Sequence, residues 1–165
     1  MSNFNSYYNS EIIRQVISVV VLNEHNVLSR IVGLFSARSY NIDSLTVAPM
    51  EDSPYSRMTI VTTGDKRVID QIVKQLNKLI PVLKVNEHKN VIEKDTVLMK
   101  FSIDNNLADI DVIARAYHGS IQNVTHDSII VSATDSSDRI INFIKVMEKF
   151  NPLEVVRSGI VAMER

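Results

Sequence analysis

A chain of 165 residues accommodates one ordinary domain or two small ones. Its 45% hydrophobic and 22% charged residues are those of a globular protein, and no run approaches the ~18 uncharged apolar residues of a membrane-spanning helix. With 18 basic against 19 acidic residues and no cysteine, it has no broad basic field for nucleic acid, and disulfides, thiolate metal centres and cysteine nucleophiles are excluded.

In chain order, residues 1–11 read as a polar arm: Met1 to Ser10 lacks the basic and apolar regions of a signal peptide, which is compatible with a cytoplasmic protein. Val16 to Leu22 is a β-branched run that predicts a strand. Val27, Leu28, Ile31, Val32 and Phe35 then recur at helical spacing behind Asn26, a suitable N-cap. Ser39-Tyr40-Asn41 breaks that helix. Ile42 to Ala48 and Arg57 to Thr62 follow as a hairpin around the turn residues Pro49 to Pro54. Gly64-Asp65 opens a second helix with Val68, Ile69, Ile72, Val73, Leu76 and Leu79 on one face, ending near Ile80-Pro81, and Val82 to Val85 is a fourth strand. The order is βαββαβ, the ferredoxin-like plan.

Asn86 to Asn90 is a polar stretch that reads as a domain boundary, and beyond it the plan repeats. Thr96 to Ile103 is a strand pattern starting from Val91. Leu107, Ile110, Ala114 and Tyr117 share a helical face. Ile121 to Val124 and Ser128 to Ser132 form a hairpin around Thr125-His126-Asp127. Ile140, Ile141, Ile144 and Met147 line a last helix, and Leu153 to Val161 closes as one strand. The expected fold class is α+β, two consecutive ferredoxin-like βαββαβ domains with antiparallel sheets. Their expected bounds are 12–87 and 91–165.

No nucleophile elbow, Walker loop, dinucleotide fingerprint or zinc-protease motif is present. His25, His88, His118 and His126 are scattered and read as solvated side chains rather than metal ligands. Asp109 and Asp111 sit near a helix start, where acidic residues complement the helix dipole, so they do not read as a catalytic pair. RNA-binding domains of this plan stack bases on aromatic residues of the third strand, and Ser56 to Thr62 has none. One segment carries a functional possibility: the turn Leu22 to Arg30 opens a helix whose unpaired amides suit a small carboxylate. The alternative is purely structural, with Asn26 capping its own helix and Asn23 turning the chain.

The run N-E-H-N-V-L-S-R-I-V-G-L-F-S-A-R-S-Y-N-I-D-S-L-T-V-A-P, Asn23 to Pro49, resembles the ACT domain of acetohydroxyacid (acetolactate) synthase small subunits. The similarity continues through Ser56 to Val61 and Gln71 to Leu76, is looser at His118 to Ile121 and Asn123 to Thr125, and returns at Arg157-Ser158-Gly159-Ile160-Val161. The resemblance implies an ACT domain at 12–87 that binds an effector and dimerises. It also implies a regulatory, non-catalytic role in branched-chain amino-acid biosynthesis. The partner would be a large catalytic subunit carrying thiamine diphosphate, magnesium and FAD, which this chain would activate and render sensitive to feedback inhibition by valine or a related amino acid. No cofactor or metal is expected in the chain itself. The implied effector site has Asn23, Asn26, Val27 and Leu28 on one side, and Asn41 and Ile42 of a second copy on the other.

Two positions depart from the family pattern, Asn26 and Ser39 standing where glycine is usual. Asn tolerates left-handed backbone, so the fold is expected to persist. Its carboxamide is expected to compete with the effector for the helix-start amides and weaken valine binding; the alternative is that it turns outward and donates its own hydrogen bond to the carboxylate, leaving affinity nearly unchanged. A free-standing ACT-type amino-acid sensor and a small ferredoxin-like enzyme are the alternative functions.

Overall fold

The computed structural model describes residues 11–165, so the arm predicted at 1–11 lies outside the described residues except for Glu11. The chain divides into two compact units, the first ending at Asn90 and the second starting at Val91.

The first unit contains β1 (Ile12–Leu22), α1 (Val27–Ala37), β2 (Ser44–Pro49), β3 (Tyr55–Asp65), α2 (Lys66–Leu76) and β4 (Val82–His88). Its antiparallel sheet has the order β2-β3-β1-β4. Alternation along β1 sends Ile17, Val19 and Val21 to one face. There they meet Met58 and Ile60 of β3, Val27, Ile31, Leu34 and Phe35 of α1, and Ile69, Ile72 and Leu76 of α2. Burial of each such side chain stabilises the unit by about 1.5–3 kcal/mol. The inward face of α1 differs from the sequence reading: Leu34 is buried, whereas Leu28 is 43% exposed.

Several boundaries differ for a common reason, that backbone pairing outlasts the apolar pattern. β1 begins at Ile12 rather than Val16 because Ile12 to Gln15 pair with Thr62 to Asp65. β3 extends back to Tyr55, which adds an aromatic residue at its first position. β2 begins at Ser44, not Ile42. Asn86 to His88, read as part of a linker, continue β4 by pairing with Val16 to Ser18. α2 stops at Leu76, where the chain turns through Asn77 to Ile80.

The second unit repeats the order with β5 (Val91–Ser102), α3 (Leu107–Ala116), β6 (Gly119–Val124), β7 (Ser128–Asp135), α4 (Ser137–Met147) and β8 (Glu154–Arg157). A short 3-10 turn, Glu148–Phe150, follows α4. Strand order is β6-β7-β5-β8, and a further strand, β9 (Val161–Glu164), also pairs with β5. Val97, Met99 and Phe101 pack with Ile110, Ala114, Ile129, Val131, Ile140, Phe143 and Met147. Phe143 takes the inward place expected of Ile141, which is exposed. A Cβ at Gly119 would lie 2.4 Å from the Ser132 carbonyl oxygen, so only glycine lets β6 approach β7 there.

The predicted single strand Leu153 to Val161 is two strands. Ser158 donates its N–H to the Thr96 carbonyl at 2.8 Å and accepts the Thr96 N–H on its hydroxyl at 2.9 Å. A side chain thus takes one rung of the ladder and the pairing breaks before β9.

Candidate functional site

β1 ends at Leu22, whose N–H donates to Pro81, and the N–H of Asn23 donates to Pro54, both at 2.9 Å. Glu24 and His25 then lead to Asn26, which has left-handed backbone (φ 68, ψ 1). Asn is among the few non-glycine residues that adopt this conformation readily. The Asn26 carbonyl accepts the first helical bond, from Arg30 at 3.0 Å, but its side chain makes no cap hydrogen bond. This corrects the sequence expectation that the Asn26 carboxamide occupies the helix-start amides. The left-handed turn takes the residue out of the extended backbone that side-chain capping requires.

Among the four α-helices of the described residues, α1 is the one that combines an uncapped start with no acidic residue in its first turn. Asp65 caps α2 through the Val68 amide at 2.8 Å, and Asn106 caps α3 through Ala108 and Asp109. The α4 start has no side-chain cap but carries Asp138 in its first turn. The start of α1 therefore presents amide donors and a partial positive charge that the chain leaves uncompensated. Asn23, Asn26 and Leu28 are exposed around it. Val27 belongs to the core, so it can contribute its backbone and not its side chain.

The other predicted half lies past the end of α1. Ser39, the second departure from glycine, also has left-handed backbone (φ 55) and turns the chain toward Asn41. Asn41 is exposed, and Ile42 is half-buried against the first core. Three residues absent from the expected site, Asp43, Thr62 and Thr63, hold this segment. The Asn41 amide donates to the Asp43 carboxylate, whose other oxygen accepts from the Thr63 hydroxyl at 2.6 Å. Thr62 donates its hydroxyl to the main-chain carbonyl of Asn41 at 2.6 Å, and the Asp43 N–H donates to the Val61 carbonyl at 2.8 Å. The Asn-x-Asp spacing hints at the first bond. The link to Thr63, twenty residues away in sequence, leaves no local signal.

The two halves do not meet within one chain. α1 has 11 residues, which at about 1.5 Å each gives about 16 Å. The strand β3 offers a second ruler, since Asn23 is tied to Pro54 and Asp43 to Val61, separated by about 23 Å at about 3.3 Å per residue. A free amino acid is far shorter than either span.

The second unit gathers charge instead. Asp135, with a side chain 6% exposed, takes Lys94 at 2.8 Å, His118 Nδ1 at 2.9 Å and Arg139 at 2.5 Å. Lys94 above all holds its carboxyl well below the usual carboxylate range, against the opposing effect of burial, with further help from the Ser136 amide, His118 and Arg139. Opposite it in register, Asp95 is paired with Arg157. His118 is thus partnered, and in the first unit the buried His88 ring lies 2.7 Å from the Ser18 hydroxyl, so neither is the simply solvated side chain expected from the sequence. No three His, Asp or Glu residues are grouped to hold a metal among the described residues, and no described helix is long and apolar enough to cross a membrane.

Comparison with known proteins identifies both units. A family model for the acetolactate synthase (AHAS) small subunit-like ACT domain matches residues 17–84, and one for the small subunit of acetolactate synthase matches residues 94–165. The acetolactate synthase small subunit of Haemophilus influenzae is 41% identical over 159 residues, covering 92% of this chain and 96% of that protein. Acetolactate synthase isozyme 3 small subunit of Escherichia coli is 39% identical over 156 residues, with 92% and 96% covered. The crystal structure of the small subunit from Thermotoga maritima superposes with a TM-score of 0.86 at 31% identity, covering 93% of this chain and 98% of that one.

Proposed function

The chain belongs to the acetolactate synthase small-subunit family, and from that membership we propose that it is a cytoplasmic regulatory subunit that activates a large catalytic subunit and makes it sensitive to valine or a related branched-chain amino acid. Thiamine diphosphate, magnesium and FAD belong to the partner in this reading. The chain contributes no chemistry to the condensation of pyruvate with pyruvate or 2-oxobutanoate. It senses product and transmits its level.

The observation that carries the reading is the separation of two complementary half-sites. The open amides of α1 suit a carboxylate, and Asn41 offers a side-chain carbonyl to an ammonium with Ile42 beside it. One ligand reaches both only if two copies face each other in opposite directions. β2 supports that arrangement, because among the described residues it pairs with β3 on one side and is the outer strand of its sheet. Antiparallel pairing of β2 with the same strand of a second copy sets the Ser44 end against the Pro49 end. This brings Asn41 of one copy toward the Asn23 turn of the other. The homodimer is thus part of the site.

The test is an assay of pyruvate condensation with the large subunit of the same organism. The purified chain alone is expected to give no product, the mixture more than the large subunit alone, and valine is expected to remove the gain. Turnover by the chain alone, or a mixture no faster than the large subunit, overturns the proposal.

A further inference from the structure

Asn41 can receive an ammonium only through its carbonyl oxygen, yet a carboxamide free to flip presents its NH2 to the same place half of the time. The surroundings of Asn41 remove that freedom. Its amide nitrogen is committed to Asp43, and Asp43 is itself fixed on two sides, by the Thr63 hydroxyl at 2.6 Å and by its own N–H on Val61 at 2.8 Å. Thr62, the neighbouring position on β3, pins the main-chain carbonyl of Asn41 at 2.6 Å and leaves its side-chain oxygen unoccupied by that bond. Carboxylate, carboxamide and hydroxyl form a chain in which each donor has one acceptor. A carboxylate accepts only, so it selects the NH2 edge of Asn41 and turns the carbonyl edge away from itself.

We propose that Asp43, held by Thr63, is the positioning residue for recognition of the effector's amino group: it fixes Asn41 so that the carboxamide oxygen, and not the nitrogen, faces the ammonium. This rests on the effector reading above. The specificity-setting group on this side of the ligand is therefore a pair, with Asn41 touching and Asp43 orienting.

The experiment is calorimetric titration of valine into the full chain as wild type, Asp43→Ala, Asn41→Ala and the double variant, with circular dichroism of each. A positioning residue acts through its client, so the effects must not add. Asp43→Ala is expected to weaken valine about 10-fold in the wild-type background, the scale of one charge-assisted hydrogen bond, and less than about three-fold once Asn41 is alanine. A loss below about three-fold in the wild-type background, or an equal loss in both, overturns the inference while leaving the effector site standing. Asp43→Asn, which keeps an acceptor for the Asn41 amide, is expected to bind within about three-fold of wild type. A larger loss assigns the effect to charge and overturns the positioning role. Should Asp43→Ala fail to fold, Thr63→Val takes its place in the cycle, with a loss of about three-fold that vanishes in Asn41→Ala. A wild-type chain that takes up neither valine, leucine nor isoleucine overturns the effector reading, and the inference with it.

Discussion

In the second unit Asn106 turns its carboxamide back onto the Ala108 and Asp109 amides, and Asp109 adds a carboxylate within the same turn. In the first unit Asn26 stands at the corresponding place after the first strand, left-handed, with a side chain that caps nothing and no acid behind it. The residue type is the same and the physics is opposite. Capping depends on the backbone of the cap residue: extended at Asn106 (φ -68, ψ 105), left-handed at Asn26 (φ 68, ψ 1). The satisfied helix start contributes stability and has nothing left to offer a ligand. The open one forgoes that contribution and keeps its donors available. The units also differ in where their ions sit. The first has Lys66 exposed between Asp70 and Glu87, whereas the second has Asp95 and Asp135 buried against basic side chains drawn from four different segments.

The largest expected effect breaks the second unit and spares the first. Asp135→Ala strands Lys94, His118 and Arg139 and is expected to cost about 2–3 kcal/mol, toward the low side for a buried pair because those partners keep part of their solvent. Denaturant unfolding followed by hydrogen exchange would show the loss within residues 91–163 and not at β1 or β3. The pH dependence follows from the same carboxyl, whose folded-state pKa is depressed. Its contribution is complete above the unfolded value of about 3.9 and is lost as pH falls from there through the lower folded value. Wild type and Asp135→Asn are therefore expected to converge in stability below about pH 4. A gap that persists unchanged into that range contradicts the assignment.

A smaller effect compares the two asparagines directly. Asn106→Ala removes a cap and is expected to cost about 1 kcal/mol. Asn26→Gly removes no cap and relieves left-handed backbone, so it is expected to stabilise by a few tenths of a kcal/mol, about what Asn concedes to glycine there. Because the Asn26 side chain does not occupy the amides, the same substitution is expected to leave valine affinity within about three-fold, the scale of a contact that was never made. Clearly tighter binding by Asn26→Gly would restore the competition that the sequence suggests.

The plan of both units was legible because strands and helices announce themselves by alternation and by helical recurrence, as in Val16 to Leu22 and in Ile69, Ile72 and Leu76. What escaped depends on partners elsewhere in the chain. Nothing in Asn86-Glu87-His88 looks like a strand, and it is one because β1 offers it a ladder. Ser158 breaks the last strand through its bonds to Thr96. At the site, the run from Asn23 to Pro49 pointed to both half-sites, and the tolerance of Asn26 for left-handed backbone was readable from its type. Whether its side chain would cap was not, since that follows from the backbone angles it adopts and not from composition. Asp43 stood in plain view between Ile42 and Ser44, but its role rests on Thr63 across the sheet.

Hydrogen exchange with and without saturating valine tests the central claim most directly, because it reads both helix starts and both half-sites in one sample. The expected result is slowed exchange at Val27 to Ser29 and at Asn41 to Asp43, with no change at Leu107 to Asp109, where Asn106 already holds the amides. Protection at Leu107 to Asp109, or protection of neither half-site in a chain that binds valine, would contradict it.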